Sequence, residues 1–194
     1  MTTIVVPFRE GGKSRLPPEI RREAALAMLG DVLDAAVRAG ETRIVTDDLA
    51  ACLVAADLGV ETVPDPGGGQ GPAVAAALRG LDGPVIVVNA DVPCVRPSDL
   101  NALAVPPRSG AVSLVEAPDG TTNALGLPFA EVFVPLFGRG SAAQFRAHAR
   151  ALGLVCHDIG LRNLQDDVDT VEALERIGPR AGPRTRTLLA MLLA

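Results

Sequence analysis

Aromatic residues are nearly missing from this chain: it has no Trp, no Tyr and only 5 Phe in 194 residues. Single-stranded nucleic acid is bound largely by stacking bases on aromatic rings, so that class of partner would find few platforms here. Lysine is scarcer still. Of 18 basic residues only Lys13 is a lysine, the net charge is −5 and the sequence pI is near 5.0. Polyanionic surfaces draw most of their affinity from clustered positive charge, so this balance excludes broad contact with nucleic acid or an acidic membrane and favours a small-molecule partner. Cysteine is rare and odd in number. Cys52, Cys94 and Cys156 stand too far apart for a zinc pattern or a disulfide framework and read as thiols packed as small hydrophobes. Neither of the two histidines, His148 and His157, stands in a recognisable nucleophile arrangement with a Ser or Cys. The Leu-rich end of residues 178–194 is far shorter than the ~20 residues of a membrane span. No basic start followed by a long apolar run opens the chain, so no secretory signal is expected and the expected location is the cytoplasm.

What is present is apolar residue in short blocks. Hydrophobic residues make up 48% of the chain, enough for one compact domain to bury a core without a staple. Ile4 to Phe8 is rich in β-branched residues and breaks at Arg9-Glu10-Gly11-Gly12, the pattern of a strand entering a glycine loop. Pro17 to Ala39 carries Ala25, Met28, Leu29, Val32, Leu33, Ala36 and Val37 at helical spacing and closes at Gly40. A strand over Arg43 to Thr46, a helix over Leu49 to Leu58 and a brief strand over Glu61 to Pro64 follow, then Pro66-Gly67-Gly68-Gly69 and an Ala-rich helix over Ala73 to Leu81. Val85 to Val88 is apolar at every position, as a parallel strand covered on both faces requires. The alternation predicts a doubly wound α/β sheet, mostly parallel and flanked by helices, with its ligand beyond the carboxyl ends of the strands. Further on, Ala111 to Glu116 reads as a strand, Gly120 to Pro128 as a polar loop, and Ala142 to Leu152 and Val171 to Ile177 as helices. Residues 178–194 read as a packed terminal helix or an interface element. Its apolar strip from Leu188 to Leu193 suits a homodimer.

Four places can carry chemistry. Lys13, with Arg9 and Arg15, sits on the first glycine loop, where cations and close backbone N–H groups can neutralise a triphosphate or merely be solvated. The loop is not a Walker sequence, since Pro7 stands where its first glycine belongs. Asp91 ends the central strand, and Asp167 and Asp169 lie two apart, so in extended backbone they face the same way and can share an ion. Mg²⁺ suits such oxygen donors. The run from Asp166 to Asp169 can equally cap the helix beginning near Val171. Gly138-Arg139-Gly140-Ser141 precedes a helix, so Ser141 can cap it while first-turn N–H groups bind an anion. Thr121, Thr122 and Asn123 offer short polar groups toward the same place.

In order and spacing these pieces resemble the guanylyltransferases of coenzyme F420 biosynthesis over most of the chain. The resemblance runs through Val6-Pro7-Phe8, Lys13-Ser14-Arg15-Leu16, Pro64-Asp65-Pro66-Gly67-Gly68-Gly69, Ala90-Asp91-Val92-Pro93, Thr122-Asn123-Ala124-Leu125, Phe137-Gly138-Arg139-Gly140-Ser141 and Asp167-Val168-Asp169-Thr170. It implies a single Rossmann-like nucleotidyltransferase domain over residues 1–194, working on GTP and a small phosphorylated acid with release of pyrophosphate. It implies Mg²⁺ held by Asp91, Asp167 and Asp169, which favours the metal role of those aspartates over the cap. It implies a nucleotide held by Arg9, Lys13, Arg15 and the Gly67-Gly68-Gly69 loop, with Lys13, Arg15 and Asp91 catalytic, and an acid held by Thr122, Gly138 and Ser141. The acids used in the family are phosphoenolpyruvate, 2-phospho-L-lactate and 3-phospho-D-glycerate; an Ala-, Gly- and Arg-rich composition of actinobacterial type points to the first. One departure is that the family shows Leu-Asn after the glycines, where this chain has Gln70-Gly71-Pro72. The competing readings are a molybdenum-cofactor-type nucleotidyltransferase, whose longer Leu-Ala-Gly-Gly loop is missing, and a nucleotide-binding module without catalysis. A dinucleotide-dependent dehydrogenase lacks its G-x-G-x-x-G.

Overall fold

The computed structural model of the chain describes residues 2–9 and 16–192. Strands β1 (Thr3–Pro7), β2 (Glu41–Val45), β3 (Glu61–Val63), β4 (Val85–Val88), β5 (Val112–Glu116), β6 (Thr122–Leu127) and β7 (Cys156–Asp158) form one sheet in the order β3-β2-β1-β4-β6-β5-β7. Only β6 runs against the others, pairing antiparallel with β4 and β5. This is the mostly parallel, helix-flanked α/β sheet that the alternation predicts.

The apolar strands are divided between two faces by the two-residue period. Ile4, Val6, Ile86 and Val88 pack on one side against Leu29, Val32 and Leu33 of α1 (Pro18–Val37). Val5, Val85 and Val87 pack on the other, against Val74 of α3 (Gln70–Ala77) and Phe145 of α6 (Ser141–Ala151). A third cluster gathers Leu16, Met28, Cys94 and Val168 with Leu174 and Ile177 of α8 (Val171–Ile177). The remaining helices are α2 (Leu49–Asp57), α4 (Pro97–Leu103), α5 (Val105–Arg108), α7 (Arg162–Gln165) and α9 (Pro183–Leu192).

The stretch expected as a polar loop, Gly120 to Pro128, contains β6, whose six residues are all buried. Its polar head is satisfied internally: Asn123 donates to the Gln165 carbonyl at 3.1 Å, and Thr122 accepts from Ser141 at 3.0 Å. A satisfied polar group can be buried at little cost, so the composition concealed a central strand. Helix α3 starts at Gln70 rather than Ala73, because Pro72 falls within the first turn, where no N–H is needed. Gly71, the second residue of that helix, has no room for a side chain. A Cβ there would lie 2.5 Å from the Cβ and 3.1 Å from the Cα of Pro135. Gly71→Ala is therefore expected to destabilise the fold by about 1–3 kcal/mol, the usual range for overpacking; an unchanged urea midpoint would show that residues near Pro135 yield freely.

Of the two roles open to the terminal segment, packed helix or interface element, its described residues form α9 packed on α1. Asp31 of α1, nearly fully buried, accepts from the N–H groups of Arg184 and Thr185 at 3.0 and 2.9 Å and so caps the helix from another element. Leu188 and Leu189 turn inward onto the third cluster, while Met191 and Leu192 stay exposed, so much of the strip read as a dimer surface is used within the chain. Cys94 is buried, which pushes its thiol pKa up; Cys52 and Cys156 are half-buried, and all three thiols are free. No helix among the described residues is long and apolar enough to cross a membrane.

Candidate active site

The carboxyl ends of β1 and β4, joined by the amino end of the opposed strand β6, open into one cleft of about 610 Å³. Pro7 ends β1 and Phe8 and Arg9 follow it, Asn89, Ala90 and Asp91 follow β4, and Thr122 and Asn123 begin β6; Gly138, Ser141, Asp167 and Asp169 are among the other lining residues. Reversing β6 is what brings a strand's first residues, rather than its last, to this edge.

On one wall Asp91, Asp167 and Asp169, all half-buried, each offer a carboxylate oxygen within 4.8 Å of the others. The backbone fixes this meeting. Val168, fully buried, donates its N–H to the Asp91 carbonyl at 3.0 Å, and the alternation of an extended segment then turns its two neighbours toward the cleft. The capping role open to Asp166 to Asp169 belongs instead to Thr170, whose hydroxyl accepts from the Ala173 N–H at 3.2 Å. Asp166 faces away and is bound by Arg176 and Arg180. Its burial works to raise its pKa, and the two guanidiniums overcome that and hold it below the ordinary carboxylate value.

The cleft is also lined by a hydroxyl pair. Ser141 and Thr122 are almost wholly buried, and the Ser141 hydroxyl donates to that of Thr122. Ser141 does not cap α6; Gly140, at φ 69°, holds the cap position. Two of the first N–H groups of α6 are engaged within the chain, Ser141 donating to the Gly138 carbonyl at 3.0 Å and Ala142 to that of Gly120 at 3.3 Å. Phe137 stacks edge-on against Phe145 at 5.2 Å and seats the Gly138 turn on the core.

At the third side, Arg9 pairs with Asp65 at 2.7 Å, and Asp65 also accepts from the Gly67 N–H at 2.9 Å. Gly67, Gly68 and Gly69 have φ of 80°, 82° and 104°, a succession that L side chains resist. Gly67 lines an adjoining hollow of about 460 Å³ that shares Phe8, Arg9 and Asp65 with the main cleft; Gly68 and Gly69 line neither. Lys13 and Arg15 lie outside the described residues.

Of the amides in the cleft, sequence reasoning named Asn123 among the polar groups facing the anion but gave Gln70 and Asn89 no role in the site. Gln70 donates to Asn89 at 2.7 Å, Asn89 reaches the Thr122 carbonyl at 3.3 Å, and Asn123 reaches the Gln165 carbonyl at 3.1 Å. All three line the cleft. The available signal was an amide at the end of an apolar strand, which has no use in a core.

A family model described as guanylyl transferase CofC like matches residues 2–177. The chain is 32% identical to the phosphoenolpyruvate guanylyltransferase of Roseiflexus castenholzii, over 96% of this chain and 92% of that one. It is 35% identical to the enzyme of the same name from Streptomyces scabiei, over 98% and 97%. Among solved structures, a nucleotidyl transferase from Methanothermobacter thermautotroptrophicus superposes with a TM-score of 0.67 at 17% identity, covering 98% of this chain and 99% of that one. At that identity the likeness concerns the fold.

Proposed function

Because the chain belongs to the CofC-like guanylyl transferase family, we propose that it moves the guanylyl group of GTP onto phosphoenolpyruvate with release of pyrophosphate, as a step of coenzyme F420 biosynthesis. The observation that carries this reading is that one cleft is lined by two unlike chemistries, a carboxylate triad and a buried hydroxyl pair.

The nucleophile is a phosphate oxygen of the acid, already ionised at neutral pH, so no general base is required. Neither His148 nor His157 lines the cleft, in keeping with that. The oxygen attacks the α-phosphorus in line; a new phosphoanhydride bond forms, the bond to the bridging oxygen of the β-phosphate breaks, and its electron pair leaves with pyrophosphate. Thr122, Gly138 and Ser141 hold the acid. Arg9, kept at the cleft by Asp65, acts with Lys13 and Arg15 on the triphosphate, and the Gly67-Gly68-Gly69 loop lies beside the guanine. Three carboxylate oxygens so close together suit Mg²⁺, and Asp91, Asp167 and Asp169 would hold it. When bound, the ion supplies Lewis acidity and neutralises charge on the phosphates.

The names of the relatives support phosphoenolpyruvate over 2-phospho-L-lactate and 3-phospho-D-glycerate. The test is pyrophosphate release with Mg²⁺, crossing GTP and ATP with the three acids and weighing the products. GTP with phosphoenolpyruvate is expected to give release and a matching adduct. Release with ATP alone would overturn the base assignment, and silence with every acid the acceptor class.

A further inference from the structure

We propose that Asp166, gripped by Arg176 and Arg180, is a positioning residue that sets the carboxylate site beside it. The proposal rests on the reading of Asp91, Asp167 and Asp169 as metal ligands. Asp166 has only 13% of its side chain exposed, and both its oxygens are engaged: Arg176 donates to Oδ1 at 3.0 Å and Arg180 to Oδ2. Arg180 also donates to Asn163 at 3.3 Å, and Asn163 to Asp99 at 3.0 Å, where Asp99 accepts the Arg96 N–H at the start of α4. The aspartate segment is thereby tied to two separate helical units.

Charge and backbone together show what the grip does. Asp166, Asp167 and Asp169 crowd three carboxylates into four residues and face a fourth, Asp91. Left ionised and unheld, Asp166 would repel its neighbours or rotate into the cleft to compete for the ion. Two guanidiniums neutralise it and fix its direction. Its backbone is extended, at φ −88° and ψ 92°, so with Asp166 and Val168 on one side, Asp167 and Asp169 must emerge on the other. Partners of this outer kind commonly govern a metal site's affinity by 10- to 100-fold.

Arg180 lies beyond residue 177, where the family match ends. The segment carrying it is fixed independently of Asp166, since Gly182 donates to the Pro93 carbonyl at 2.8 Å and Asp31 caps α9. A substitution at Arg180 can thus loosen the hold on Oδ2 of Asp166, which keeps Arg176 on Oδ1 and Arg162 3.9 Å from Oδ2, without undocking the arm.

The sign of the effect makes the test sharp. Arg180→Met removes a positive charge near a cation site, and charge alone would tighten Mn²⁺ binding; loss of positioning would weaken it. Mn²⁺ binding to the full chain is followed by the electron paramagnetic resonance of the free ion, without nucleotide. We expect Arg180→Met to weaken affinity about tenfold, and Arg180→Lys, which keeps the charge but cannot hold Asp166 and Asn163 together, to weaken it less. Thermal melts establish that the variants are folded; if Arg180→Met is not, Arg180→Lys decides alone. Affinity unchanged or tightened in a folded variant would overturn the proposal. A wild-type chain that binds no Mn²⁺, or binds it as well after Asp167→Asn, would instead remove the metal reading beneath it.

Discussion

Asp91→Asn is expected to slow pyrophosphate release by about a thousandfold or more, roughly the 4 kcal/mol of transition-state charge stabilisation that a correctly held metal ion supplies. The substitution keeps shape and size at the end of β4, so the packing of Val88 and Val92 is undisturbed, and the bond from Val168 uses the Asp91 carbonyl rather than its side chain. Stability should move little. Kinetics and a melting curve in EDTA check both halves. Normal turnover would show that Asp91 holds no catalytic ion, whereas a large fall in melting temperature would make it a structural residue.

The triad was legible because two of its members obey a local rule. Asp167 and Asp169 are two apart, and Asp91 ends a run of residues apolar on both faces, so strand geometry alone places them at one edge. The cap alternative lost for a reason the sequence also contained, since Thr170 stands one residue nearer α8 and is itself a good cap. What stayed hidden depended on distant partners. Thr122 and Asn123 look like loop residues until Ser141 and Gln165 are brought against them. Gly126 looks like a strand breaker until Ser113 and Pro107 are seen in the space that its Cβ would fill. Asp166 is indistinguishable from its neighbours in the sequence; only the turn at Gly178–Arg180 returns a guanidinium to it. Gln70, at the start of α3, gave no sign of a place in the site, because its partner Asn89 lies 19 residues away, just beyond β4.

Thr122→Val should lower kcat/KM for the acid by about 10- to 150-fold, the worth of one hydrogen bond to a charged group at 1.5–3 kcal/mol. The Thr122 and Ser141 hydroxyls lie 3.0 Å apart, both are buried, and both residues border the cleft. A hydroxyl held by such a neighbour has little entropy left to lose when an anionic oxygen arrives. Valine keeps the β-branched shape that β6 requires but offers neither the acceptor nor the donor. The loss should fall on the acid alone, leaving KM for GTP within about twofold, well under the 1.4 kcal/mol that a tenfold change represents. Ser141→Ala should cost less, because it frees the Thr122 hydroxyl to rotate without removing it. If both variants instead raise KM for GTP as much as for the acid, the hydroxyl pair serves the nucleotide, and the two walls of the cleft must exchange their assignments.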